Sequence, residues 1–489
     1  MTEHLNPGRL TRRAVLTGGA AVAGAVALRI TTPGGKGGTI EKLDDAKLTA
    51  NVPPDIHLAA TDGWVSIADA SQMQAAEVAA MQSFWPDPLA FGHGDQATQD
   101  ANTLVPGSGL NMYVFGFRNV TDLAAADVTL TRGQAQISAP LLAFKEGQGY
   151  RVQLTNMGLS QRPDLVDGHT IHWHGFVNEL PVFDGVPELS LSVPIGRSLT
   201  YYYKPQDPGT YMYHCHFEDV EHVQMGMTGL LFVRPKQDDG PSITFGGKPY
   251  TKFAYNCLDG STGYDREYSV FETEIFAEGH YRDAHIQVTD WTDFHASFWA
   301  LNGRTYPDTV ADSGPWNATR GYDPSDPTAG GRLQYQPQSA RIDCNAGERV
   351  LLRMASLGYE NHAMTADNID FTIVGRDASH LRDLAKGKTA GSTNPLDYVY
   401  NYIISNQVEI GPGESADVLF TAPTFVVSTT NPVDSAGRAY NAYLFYDRNY
   451  AYASNGGAAS KPGGMATEIR VYPSNTIAPQ PAATTSPKA

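Results

Sequence analysis

The chain has 489 residues, 41% of them hydrophobic, and a formal net charge of −17. That length exceeds one ordinary domain and provides for two or three compact units with ample core. The charge repels phosphate backbones, which excludes nucleic acid as a partner and leaves small cations and neutral organic molecules. With 48 glycines and 31 prolines the composition favours turns and short strands over long helices, so an all-β architecture is expected.

Residues 1–27 read as an export signal: "RLTRRAVLTGGAAVAGAVAL" sets Arg12 and Arg13 before an apolar run, Ala14 to Leu28, that is too short to span a bilayer. The arginine pair resembles a bacterial twin-arginine signal, and Ala25-Val26-Ala27 offers a small-residue cleavage pattern, so a periplasmic or extracellular chain is expected. No later segment has transmembrane character. Residues 28–105 are expected as an N-terminal arm with one helical pattern, "WVSIADASQMQAAEVAAMQSFW". From 106 to 236 follow strand-like runs ("LNMYVFGFRNV", "YRVQLTNM", "HTIHWHGFV", "LTYYYKP", "GTYMYHCHF", "GLLFVRP") that predict a β-sandwich. Residues 237–250 read as a Gly/Asp/Lys-rich linker. A second set of strands is expected over 251–475, including "ERVLLRMAS", "DFTIVGRD", "SADVLFTAP", "NAYLFYDRNY" and "ATEIRVYP", and a disordered tail over 476–489.

Three cysteines are too few for a disulfide scaffold; for Cys257 and Cys344 a bridge and two free thiols are both open. Cys215 differs because it lies in "GTYMYHCHFEDVEHVQMGM", Gly209 to Met227. Side chains alternate along a strand, so His214 and His216 project to one face and Cys215 to the other. In "HTIHWHG" the same parity puts His172 and His174 on a face opposite His169 if the strand is regular that far back. One group therefore joins His169 and Cys215, to which the following loop can add His222 and Met227, with Met225 and Met212 as competing thioethers. That is the donor set of a blue-copper site; zinc favours a second thiolate or a set without methionine. The other group, His172, His174, His214 and His216, is all imidazole and suits one or more further copper ions. Because Cys215 is bonded to both His214 and His216, an electron has a short covalent route between the groups. Single histidines elsewhere (His57, His93, His280, His380) read as structural or surface residues.

"HTIHWHG" together with "HCHFEDVEHVQMGM" resembles the copper-binding motifs of multicopper oxidases, the family of laccases. The resemblance implies that His169, Cys215, His222 and Met227 ligate the blue copper. It further implies that His172 binds the single copper of a trinuclear cluster, and His174, His214 and His216 its coupled pair. "FDGVPE" resembles the segment that brings an acid near the cluster, which makes Asp184 a candidate proton donor; a turn-forming aspartate before glycine is the other reading. Glu218, Asp219 and Glu221 form an acidic patch beside the copper loop. The family draws its remaining histidines from a second domain with two more His-x-His motifs, but the matching places here read "NHAMTADN" and "LFYDRNY". His362, His285 and His295 remain as single contributors. The implied fold is all-β: two Greek-key cupredoxin-like β-sandwich domains with an N-terminal arm, the second lacking His-x-His motifs. The implied function is an exported copper oxidase that takes electrons from a phenol, aromatic amine or metal ion and passes them to dioxygen. A copper nitrite reductase-like enzyme and a non-enzymatic blue-copper carrier are the alternatives. An incomplete histidine face further predicts a homo-oligomer, a closed trimer first among them.

Overall fold

The computed structural model describes residues 53–67, 110–176, 180–313, 333, 335–454 and 462–480. The export segment, His93 and most of the expected helix lie outside the described residues. From Pro54 onward the chain forms one compact unit.

The described residues form two β-sandwiches. In the first, β1 (Ile56–Ile67), β2 (Leu110–Asn119), β4 (Tyr150–Asn156) and β6 (Ser198–Tyr203) make a sheet in the order β2-β1-β4-β6. Against it lies the sheet β3-β8-β7-β5, from β3 (Leu142–Lys145), β5 (His172–His174), β7 (Gly209–His214) and β8 (Thr228–Arg234). Aromatic side chains of both sheets, Phe115, Phe117, Trp173, Tyr201 and Tyr213 among them, fill the space between.

The expected N-terminal arm is corrected at β1, which pairs with β2 along its length and runs parallel to β4. This strand is buried on both faces, so it shows no alternation, and Asp62-Gly63 in its middle reads as a turn. Both residues are needed there. Asp62 accepts the Tyr113 hydroxyl at 2.9 Å, and a Cβ on Gly63 would meet the Ala135 nitrogen at 2.7 Å.

The linker carries a short hairpin, β9 (Ile243–Phe245) and β10 (Lys248–Tyr250). The second sandwich opens with β11 (Arg266–Ile275), helix Ala277–Ala284 and β12 (Phe298–Leu301). It continues through β13 (Ile342–Asn345), β14 (Arg349–Ser356), β15 (His362–Ala366), β16 (Phe371–Arg376) and β17 (Ser379–His380). A hairpin, β18 (Arg382–Leu384) and β19 (Tyr398–Tyr400), stands on the long insertion, followed by β20 (Ile403–Ser405) and β21 (Gln407–Ile410). The closing strands are β22 (Ser415–Thr421), β23 (Asn441–Asp447) and β24 (Ala466–Tyr472). One sheet runs β12-β11-β14-β22-β16-β17, with β20 on β16; the other runs β13-β24-β23-β15-β21.

The two sandwiches repeat one plan. The order β2-β1-β4-β6 recurs as β12-β11-β14-β22, and β3-β8-β7-β5 as β13-β24-β23-β15. The parallel seams β1/β4 and β3/β8 recur as β11/β14 and β13/β24. Thus β15 and β23 are the counterparts of β5 and β7, the strands that carry the histidine motifs.

The expected tail is corrected at its start, because residues 476–480 dock on the second sandwich. Arg266 donates to the Ala478 carbonyl at 2.6 Å, Asn345 to that of Ile477 at 2.9 Å, and Gln480 bonds the Glu267 backbone through both its amide atoms. All three cysteines are buried free thiols, so Cys257 and Cys344 are not bridged.

Candidate metal centre

Strand β7 ends at His214, and the chain leaves the sheet at Cys215. It returns through a short helix, α1 (Asp219–Met225), before β8 begins at Thr228. Gly226 ends α1 in the left-handed region, φ 117°, where a Cβ would meet the Phe115 carbonyl at 2.9 Å. The excursion is stitched shut: the Cys215 N–H donates to the Met227 carbonyl at 3.0 Å and the Met227 N–H to the His222 carbonyl at 2.8 Å.

This loop brings Cys215 and His222 to His169, with one donor atom from each within 4.8 Å of the others. The sulfur stands 3.3 Å from Nδ1 of His222 and 3.8 Å from Nδ1 of His169. All three side chains are buried, and burial pulls the His169 imidazolium down to about 4, depresses His222 well below the ordinary range and lifts the Cys215 thiol to about 11. Both imidazoles are therefore neutral and present lone pairs. Met225 and Met227 lie in the same core cluster as Cys215, whereas Met212 packs at Phe232 and Phe271. Two imidazoles, a thiol and an adjacent thioether, sealed from water, fit copper better than zinc or a hard cation.

Behind Cys215 the imidazoles of His172, His174 and His214 form a second group within 4.8 Å. His216 joins it by ring packing, its centroid 5.1 Å from that of His172 and 5.4 Å from that of His214. The rings are oriented by carbonyls. Nδ1 of His172 bonds the Asp184 carbonyl at 2.6 Å, and Nδ1 of His214 the Cys215 carbonyl at 2.9 Å, which leaves each Nε2 for a metal. The Asp184 carboxylate lies 3.4 Å from the same His172 nitrogen. Burial takes His214 down to about 3 and lowers His172 and His174 as well.

Three residues that sequence reasoning passed over belong here. Thr170 touches both groups: its N–H points at the Cys215 sulfur at 3.4 Å and its hydroxyl accepts the His216 N–H at 2.9 Å. Its place between two histidine positions was the available signal. Asp167 approaches the outer edge of His222, Oδ2 to Nε2 4.0 Å, and with Glu218 it forms a third group around that ring. Gly413 comes from the second sandwich, and a Cβ there would stand 3.3 Å from Nε2 of His174. The second sandwich of the same chain therefore covers one side of the histidine face.

The acidic patch is more than a solvated face. Burial and the neighbouring Asp283 and Glu218 carboxylates push Glu221 up to about 8, while Arg162 pairs with Asp283 and, at 3.0 Å, with Asp164.

Of the single contributors from the second half, none joins the imidazole group among the described residues. His285 and His295 bond the carbonyls of Tyr281 and Asp293, and His362 is held between Glu274 and Asp447. The bland readings of His57, His280 and His380 agree with their bonds to Thr155, the Tyr113 carbonyl and Tyr402.

Two sandwiches, one of them enclosing a Cys/His/His pocket beside a methionine, define a cupredoxin-type copper protein. Residues 119–238, which hold both histidine motifs, match the multicopper oxidase family model. This part of the first sandwich is thus similar to the multicopper oxidase family, whose cofactor is copper. Over 105 residues the chain is 33% identical to the multicopper oxidase MCE of Talaromyces pinophilus, a match covering 21% of this chain and 16% of that protein. Over 98 residues it is 32% identical to the copper-containing nitrite reductase of Neisseria gonorrhoeae, covering 20% of this chain and 22% of the relative. The match thus spans less than a quarter of either relative's length. Among solved structures the multicopper oxidase mgLAC shares the fold, with a TM-score of 0.50, 18% identity and coverage of 88% of each chain.

Proposed function

We propose that this chain is an exported oxidase that takes single electrons from a phenolic, aromatic amine or metal-ion donor and reduces dioxygen. The observation that carries the reading is the run His214-Cys215-His216, whose middle residue serves the buried pocket and whose outer residues serve the imidazole face. Copper, when bound, supplies one-electron redox chemistry at both places.

His169, Cys215 and His222, with Met227, hold the blue centre, and the peptide bonds on either side of Cys215 give an electron its shortest covalent path to the second. The outer edge of His222 faces Asp167 and Glu218, which favour a cationic donor or one with a hydroxyl to offer. Asp184 fixes His172 through its carbonyl, and its carboxyl stands close enough to that ring to deliver protons as oxygen takes up electrons. His172, His174 and His216 are only half-buried, and a neighbouring copy in a closed ring, such as a trimer, completes their face.

Purified protein tests this directly through copper per chain, the visible spectrum and oxygen uptake on a phenolic donor. Two or more copper ions, an intense blue band and oxygen consumption are expected. One copper without oxygen uptake points instead to an electron carrier. Nitrite consumption in place of oxygen points to a reductase, a reading supported by the identity to the Neisseria enzyme. A fully loaded monomer overturns the ring.

A further inference from the structure

Besides the Glu221–Asp283 bond, two contacts from the second sandwich reach α1 by way of Glu274 on β11. Nε2 of Gln224 donates to the Glu274 carbonyl at 2.9 Å. The Tyr359 N–H donates to Oε2 of Glu274 at 2.7 Å, and the Tyr359 hydroxyl donates to the Val220 carbonyl at 2.7 Å. Val220 and Gln224 stand two residues before and after His222. The imidazole that faces the Cys215 sulfur therefore rides on a helical turn held at both ends from the other sandwich.

That turn is closed at its C-terminal end by its own backbone bonds, but has little means of holding its N-terminal end. It is seven residues long, and its N-cap, Glu218, makes no side-chain capping bond and sits at φ 48°, in the left-handed region. Glu274 by contrast is fixed. Its Oε1 meets Nε2 of His362, whose Nδ1 meets Oδ2 of Asp447 at 3.0 Å. Asp447 also accepts the N–H groups of Ala363 at 3.2 Å and Asn449 at 2.6 Å. All three side chains are buried, with residue exposures of 4%, 2% and 1% for Glu274, His362 and Asp447. Gly358 lets the carboxylate lie flat on the chain, since a Cβ there would come within 1.9 Å of Oε2. On the counterparts of β5 and β7, where the first sandwich gathers imidazoles, the second sets His362 and Asp447, which with Glu274 from β11 make an acid–imidazole–acid brace.

We propose that Glu274, fixed by His362 and Asp447, is a positioning residue for the blue centre: through Gln224 and Tyr359 it holds α1 and sets how His222 faces Cys215. The inference rests on the reading of His169, Cys215 and His222 as a blue-copper site. The colour and potential of such a site follow the geometry of its ligands and their supporting shell. The sandwich in which no second such group of ligands occurs among the described residues thereby tunes the site beside it.

Tyr359→Phe removes one hydroxyl at the surface, Gln224→Met one donor, and Glu274→Gln the charge of the anchor. In each whole, purified variant, amide exchange across residues 219–225 should quicken about three- to tenfold. In the copper-loaded variants the visible maximum and the reduction potential should shift while copper per chain stays at the parent value. Unchanged exchange together with an unchanged spectrum in Tyr359→Phe and Gln224→Met, the variants that leave the buried charges intact, overturns the proposal. Copper uptake by the parent without a blue band defeats the reading of the site. Exchange in the metal-free variants then still decides whether Glu274 holds α1.

Discussion

Cys215 and His214 are joined by one peptide bond yet serve separate pockets, the sulfur with His169 and His222 and the imidazole with His172 and His174. Replacing the sulfur should therefore be local: Cys215→Ser abolishes the intense colour and leaves copper on the imidazole face, as a metal count beside an absorption spectrum will show. Loss of all copper together would mean the two sites are not separable. Gly185 supplies the converse test. It sits at φ 82°, and a Cβ there would come 2.3 Å from the Ile171 carbonyl, so Gly185→Ala must shift the Asp184 carbonyl that orients His172. We expect the blue band to persist while copper on the imidazole face falls, with a backbone cost of about 1–3 kcal/mol in unfolding free energy. The grouping of these side chains, as distinct from their roles, was legible in the sequence because alternation needs no knowledge of the fold. Asp167 and Gly413 were not, since nothing in their spacing says which ring they meet, and Thr170 offered only its place between two histidine positions.

At the scale of elements, β7 joins the halves of the molecule. Asp417 on β22 accepts the Thr210 N–H at 3.2 Å, its hydroxyl at 2.6 Å, the Tyr255 hydroxyl at 2.5 Å and Arg353 at 2.9 Å. Asp417→Ala leaves a fully buried guanidinium with Glu267 as its remaining carboxylate, and the expected loss is about 3 kcal/mol, read from the denaturant midpoint at constant slope. Most strands of both sandwiches could be read from β-branched and aromatic runs between turns. Two segments show why others could not. β1 is hidden because burial on both faces erases its period, and residues 476–480 look like a polar tail because their order comes from bonds to Arg266, Asn345 and Glu267 rather than from their own composition.

Across the whole molecule the brace in the second sandwich sets a pH dependence. Bonds to Asp447 and Glu274 outweigh burial and raise His362 to about 10, and burial pushes Glu272 up to about 8. Each binds a proton in the folded chain that it has lost in the unfolded one, above an ordinary value of 6.5 for His362 and 4.5 for Glu272. Stability from Glu272 is thus lost as pH rises from 4.5 towards 8, and that from His362 between 6.5 and about 10. Denaturant titrations should show unfolding free energy falling over this window, and His362→Gln should flatten the alkaline part. A rise in stability over the same window would contradict the assignment of charge.

The repeated strand order has a consequence for what a strand end can carry. A topology written twice, down to its two parallel seams, puts His362 at the start of β15 and Asp447 at the end of β23, where the first sandwich has His172 at the start of β5 and His214 at the end of β7. One backbone plan thus presents two unlike sets of side chains at the same two strand ends.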